Sequence, residues 1–233
     1  VSLVVPDRHG VLSDVLLGFD DLRSYEAHST YIGCAVGRVC SRIAGGLFKL
    51  GDDAYKLPQN NGTACHHGGP VGFNQHTWDI VESERNSVTL RLESPDADQG
   101  FPGKLVATVQ YTLLLVGGGD TALSVRFTAE TDKATVVNLT SHVYFNLAGV
   151  TESPGDARTL PERMLDHTVM IAADTFVPTD EINIPLGELR EVEGTPFDFR
   201  LPTRVGDRIE EDDSQLRIAT GFDHNFALRP EEP

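Results

Sequence analysis

The stretch K104-L-V-A-T-V-Q-Y-T-L-L-L-V116 decides the fold. In its first half Leu105, Ala107, Val109 and Tyr111 recur every second residue, and its end is continuously apolar. A period of two places alternate side chains on opposite faces of a strand, whereas a helix would repeat every 3.6 residues. The alternating part reads as a strand with one buried face, and the continuous part as one buried on both. Working outward, S87-V-T-L-R-L-E93 and L123-S-V-R-F-T128 repeat the alternation. Turn-forming runs separate these segments: D96-A-D-Q-G-F-P-G103, G117-G-G-D120 and E130-T-D-K133. The last two leave gaps of hairpin length between neighbouring strands.

Convincing helical stripes are scarce, and 22 glycines and 13 prolines leave long helices little room. The expectation is an all-β protein, a large antiparallel β-sandwich. The chain shows no internal repeat and no clear linker. Val150 to Pro161 is rich in proline and glycine and reads as a long loop, with strand-like sequence resuming after it. All 233 residues are therefore assigned to a single domain, long enough to bury roughly 70% of its unfolded surface.

The net charge of −16 repels a phosphate backbone and an anionic membrane, so nucleic acid and membrane are not expected partners. Three cysteines, with no C-x-x-C pair, argue against a disulfide framework and against a zinc site, and fit reduced thiols in the cytoplasm. The first residues lack the basic start and apolar stretch of a secretory signal. No apolar run reaches the length of a membrane helix.

Three histidine-bearing segments stand out: N60-N-G-T-A-C-H-H-G-G69, N138-L-T-S-H-V-Y-F-N-L-A-G149 and G221-F-D-H-N-F226. The two glycines after His67 would let backbone approach a ligand closely. His142 sits between a strand-like run and Tyr144 and Phe145, where a histidine is more often a satisfied structural residue than a proton carrier. His28, His76 and His167 read as ordinary. There is no G-x-S-x-G elbow and no P-loop. The remaining inventory, proton carriers titrating near neutrality with amides, carboxylates, an arginine and aromatic rings, suits a neutral polyhydroxylated ligand.

Taken together, the segments resemble the aldose 1-epimerase (galactose mutarotase) family. The matching pieces come in family order: V5-P-D-R-H-G10, L17-G-F-D20, Y31-I-G-C-A-V-G-R38, S41-R-I-A-G-G-L-F48, N60 to G69, G72-F73 with W78, N138 to G149, A173-D174 with P178, G194-T-P-F-D-F-R200 and G221-F-D-H-N-F226. The resemblance covers almost the whole chain. It implies the galactose mutarotase-like antiparallel sandwich. It also implies interconversion of the α and β anomers of free aldohexoses such as galactose and glucose, with no cofactor and no metal. Two general acid–base steps open and reclose the sugar ring. The resemblance further implies His142 as general acid at the ring oxygen and His67 as the second catalytic histidine, hydrogen-bonded to the sugar. Arg42 and Asp198 would bind sugar hydroxyls, while Phe73 and Trp78 would pack nearby. A monomer or weak dimer is expected.

Two departures matter. Ser41 and Ser141 stand where the family usually has asparagine. The family's catalytic base, a glutamate well downstream of G-F-D-H-N-F, has no counterpart here, and family strands before Val1 are missing. The expectation is a fragment, incomplete at both ends and lacking the base, with a natural short form left open. Two other functions also stay open: a non-catalytic sugar-binding or regulatory relative, and a hexose-6-phosphate 1-epimerase, which would call for extra basic residues. A glycoside hydrolase would need two catalytic carboxylates, and only Asp198 offers itself.

Overall fold

The computed structural model describes residues 2–7, 9–28, 30–117, 120–149 and 164–230. By their contacts the residues fall into two compact units, Tyr25–Val143, and Val1–Ser24 with Tyr144–Pro233.

In the unit Tyr25–Val143 the alternating segments pair as expected. Strands Thr121–Thr131, Leu105–Leu115, Ser87–Ser94 and Asp79–Ser83 form one antiparallel sheet in that order. Leu105, Ala107 and Val109 are buried, and Leu105 and Ala107 pack with Leu92 and Phe73, with Trp78 and Leu139 against them. Each fully buried aliphatic or aromatic side chain of this kind contributes about 1.5–3 kcal/mol. The apolar end of the long strand departs from expectation, because Leu113 to Val116 are exposed, Leu115 at 87%. A continuous apolar run reports burial on both faces only where something covers both, and here the strand ends project beyond the described packing.

The hairpin closing with Leu115 opposite Thr121 is present, although Gly118 and Gly119 of its turn lie outside the described residues. Glu130–Lys133, in contrast, is no hairpin turn. The strand runs through Thr131, and the next paired segment, Thr140–Ser141, joins Ala35–Val36 instead. Two further short ladders join Arg42–Ile43 to Cys65–His66 and Leu47–Leu50 to Asp53–Lys56. A second cluster, Leu57, Cys65 and Phe101 with Val39, Ile43, Phe48 and Val136, fills the space beside them.

Arg38 lies within this unit and is 2% exposed. Its guanidinium donates to the carbonyls of Ser94, Pro95 and Pro102 and to the Ser94 hydroxyl at 2.8–3.1 Å. A buried arginine is tolerated only when its donors are used. Here they tie the 94–102 turn to the segment leading into Ser41.

The other unit carries the sheet Arg190–Glu191, Ala173–Val177, Asn225–Leu228 over Phe176, Val192, Phe197 and Leu216. The helix Ser214–Ala219 starts where Asp213 caps the backbone N–H groups of Gln215 and Leu216. Among the described residues every pairing between strands is antiparallel, and one isolated parallel bridge joins Val39 and Asn138. The loop read over Val150–Pro161 lies outside the described residues.

Candidate active site

The site grows from a backbone clamp. The short ladder Arg42–Ile43 with Cys65–His66 sets Arg42 opposite His66. One residue beyond it on either side, Ser41 and His67 bond each other twice. The His67 N–H donates to the Ser41 carbonyl at 3.0 Å, and the Ser41 N–H donates to His67 Nδ1 at 3.1 Å. A nitrogen that accepts a backbone N–H carries no proton, so His67 is the neutral tautomer with hydrogen on Nε2. Burial, reinforced by the positive charges of His66, His142 and Arg42, pushes its pKa down to about 3. At neutral pH His67 is therefore a neutral hydrogen-bond donor.

Three rings surround it. His66 lies at 3.8 Å, Tyr31 at 4.7 Å and His142 at 5.1 Å between centroids. His142 continues the pairing of Thr140–Ser141: its N–H donates to the Cys34 carbonyl and its carbonyl accepts from Gly33. Tyr31 packs its ring along His142 at 6.1 Å, the two planes 24° apart. Tyr144 and Phe145, the neighbours suggested by sequence, are exposed in the other unit, at 42% and 52%.

Arg42 directs Nε to Asn61 Oδ1 at 3.0 Å. Asn60 brackets His66, accepting from its N–H at 2.7 Å and donating to its carbonyl at 3.0 Å. His67, His142 and Arg42 thus come together within one unit. Sequence reasoning missed Tyr31, Asn60 and Asn61. The N60-N-G62 turn just ahead of the paired histidines was the available signal for the two amides.

Asp198 belongs to the other unit. Its carboxylate accepts Arg200 Nε and Nη2, both at 2.8 Å, while Arg208 donates to its carbonyl at 2.6 Å. The Arg200 hydrogen bonds hold the Asp198 pKa down to about 2. With the Arg200 backbone N–H at 3.3 Å as a third donor, the carboxylate keeps one of its roughly four acceptor positions unused.

Gly68 serves a different purpose from the one its sequence suggested. A Cβ there would lie 1.9 Å from the Gly37 carbonyl oxygen, so the glycine admits backbone of the same chain. Phe73 is core, and Trp78 Nε1 donates to its carbonyl at 3.2 Å. His224 bonds Gln215 and packs edge-on against the stacked rings of Phe176 and Phe197. His167 is better anchored than it read: Leu147 N–H donates to its Nε2, and its Nδ1 faces the Met164 carbonyl. Burial pushes the Cys34 thiol up to about 12 and that of Cys65 up to about 11, which removes both as nucleophiles at neutral pH. Among the described residues no three His, Cys, Asp or Glu side chains are grouped to hold a metal ion, and no helix is long and apolar enough to cross a membrane.

The family model for aldose 1-epimerase matches residues 1–233. The chain belongs to the aldose 1-epimerase family. It is 44% identical over 228 residues to the galactose mutarotase of Bos taurus, covering 98% of this chain and 61% of that protein. Among solved structures, galactose 1-epimerase from Lactobacillus acidophilus NCFM matches with a TM-score of 0.79 at 30% identity, over 95% of this chain and 62% of that one. The GalM/aldose epimerase homologue from C. elegans matches with a TM-score of 0.82 at 28% identity, over 99% and 65%. The chain thus spans about three-fifths of the length of the Bos taurus relative. The all-β antiparallel sandwich read from the alternating strands agrees with the fold of these relatives.

Proposed function

We propose that the protein acts as an aldose 1-epimerase, an isomerase that interconverts the anomers of free hexoses such as galactose and glucose. The observation that carries this reading is a buried, neutral His67 whose ring lies 5.1 Å from that of His142. His67 is neutral and offers a fixed Nε2–H, suited to hold a sugar oxygen without exchanging a proton. His142, beside it, is the group we assign as general acid at the ring oxygen. When that oxygen is protonated and the anomeric hydroxyl gives its proton to a base, the ring C1–O bond breaks and C1=O of the open-chain aldehyde forms. Rotation about C1–C2 and the reverse transfers close the opposite anomer. Arg42 supplies a planar fork of donors to sugar hydroxyls, and we assign Asp198 as an acceptor of hydroxyl hydrogen bonds. No residue of this chain is assigned as the base that takes the anomeric proton. We further propose a cytoplasmic protein, as its three cysteines suggest, and one that is monomeric or weakly dimeric.

Polarimetry of freshly dissolved α-D-galactose tests the reading. Accelerated mutarotation is expected, with His142→Asn lowering kcat by about 10²–10⁴-fold. Acceleration that survives His142→Asn would reject His142 as the acid, and no acceleration by the parent protein would reject the activity for this chain.

A further inference from the structure

We propose that Tyr31 is a positioning residue of this site: its ring fixes the mutual orientation of the His142 and His67 imidazoles. The inference rests on the reading of His142 as general acid given above.

Tyr31 is tied to both histidine-bearing segments. Its own turn grips the backbone of His142, because Cys34 N–H donates to the Tyr31 carbonyl at 3.2 Å while Gly33 N–H and the Cys34 carbonyl bond His142 at 2.8 and 2.9 Å. From that turn the ring runs along the His142 imidazole and meets the rings of His67 and His66 edge-on at 4.7 and 5.5 Å. The hydroxyl reaches the Asn60 side chain, the group that brackets His66. One side chain therefore touches every ring of the cluster.

Ordinary core packing does not account for it. Tyr31 belongs to none of the buried apolar clusters among the described residues. Its φ of 56° lies in the left-handed region that bulky residues rarely adopt. Glycine would occupy that backbone without strain, so the tyrosine side chain stands there against its local preference. Such residues collect where the geometry of a site depends on them. An acid that must meet a ring oxygen loses rate steeply when misaimed.

The test compares Tyr31→Phe, Tyr31→Leu and Tyr31→Gly in the purified protein by two readouts. One is the carbon–proton correlation spectrum of the histidine rings; the other is kcat and KM for α-D-galactose. Tyr31→Gly relieves the backbone strain that Tyr31→Leu keeps. The expected result is that Tyr31→Leu and Tyr31→Gly shift the His67 and His142 signals and lower kcat about 10–100-fold, with KM moving less than about threefold. Tyr31→Phe keeps the ring and should hold the signals and kcat within about threefold of the parent. Unmoved signals in Tyr31→Gly and Tyr31→Leu overturn the proposal, as do moved signals with parental kcat. A Tyr31→Phe as slow as Tyr31→Leu overturns it too, since the hydroxyl would then matter and the ring would not. If the parent does not accelerate mutarotation, the activity reading fails separately and the ring signals alone decide.

Discussion

Replacing His67 by asparagine should flatten the acid side of the stability profile. His67 is 7% exposed, accepts the Ser41 N–H on Nδ1 and has its pKa pushed down to about 3. In the unfolded chain a histidine titrates near 6.5. Between those values the unfolded chain binds about one proton more than the folded one, so stability is full above about pH 6.5 and falls as pH drops towards about 3. At pH 5 the unfolded imidazole is protonated by about 30 to 1, a loss of about 2 kcal/mol relative to pH 8. For a chain of this size that is about 4–8 °C in Tm.

His67→Asn isolates this contribution. The asparagine Oδ1 can take the place of Nδ1 as acceptor for Ser41, asparagine tolerates the left-handed φ of 50° found here, and it does not titrate. Urea unfolding of parent and variant at pH 8 and pH 5 gives the difference of differences, in which shared carboxylates and the other histidines largely cancel. The parent should lose about 2 kcal/mol more than His67→Asn on acidification. If both lose the same, the neutral, desolvated His67 derived from its hydrogen bond is wrong, and with it the division of roles between the two histidines.

Two further outcomes follow from backbone geometry. Gly68→Ala should cost more than about 3 kcal/mol in denaturant unfolding, because its Cβ would meet the Gly37 carbonyl oxygen at 1.9 Å. Gly62→Ala, with φ of 58° but open space around it, should cost only about 1 kcal/mol. Ser41→Asn should raise the urea midpoint by up to about 1 kcal/mol in stability, since asparagine visits the left-handed region more readily than serine at the φ of 67° found here. A lower midpoint for Ser41→Asn would show that the serine hydroxyl has a role the backbone does not reveal.

What the sequence disclosed follows from what repeats and what is costly. Period-two alternation located three of the four strands of the Asp79–Thr131 sheet, because burial of one face constrains every second residue. It misjudged Leu113–Val116, since apolar character states a preference and not the presence of a cover. His142 stood out because a titratable ring is expensive in apolar sequence, yet that reading favoured a structural histidine, and only the family resemblance suggested an acid. Arg200 was available too: in an extended segment residues two apart share a face, and F197-D-F-R200 places an arginine beside Asp198. Tyr31 was hidden, because an aromatic reads as core until its neighbours are known. Positive φ at Tyr31, Ser41 and His67 was hidden as well, since non-glycine residues do not advertise it.

That concealed strain ties the site to its scaffold. Three of the seven non-glycine residues with positive φ among the described residues belong to this one cluster. Each costs of order 1–3 kcal/mol and persists only where its surroundings over-determine it. The over-determination is visible in the reciprocal Ser41–His67 bonds, in the packing of Gly68 on Gly37, and in the four hydrogen bonds of Arg38 three residues before Ser41. Arg38 touches no ring of the site, yet it is buried with its donors in use, and it sets the strand from which Ser41 and Arg42 emerge. The reciprocal Ser41–His67 bonds aim the His67 Nε2–H, and the Arg38 guanidinium anchors the segment just before Ser41, so truncating Arg38 should shift the histidine-ring signals under conditions where the protein is still folded.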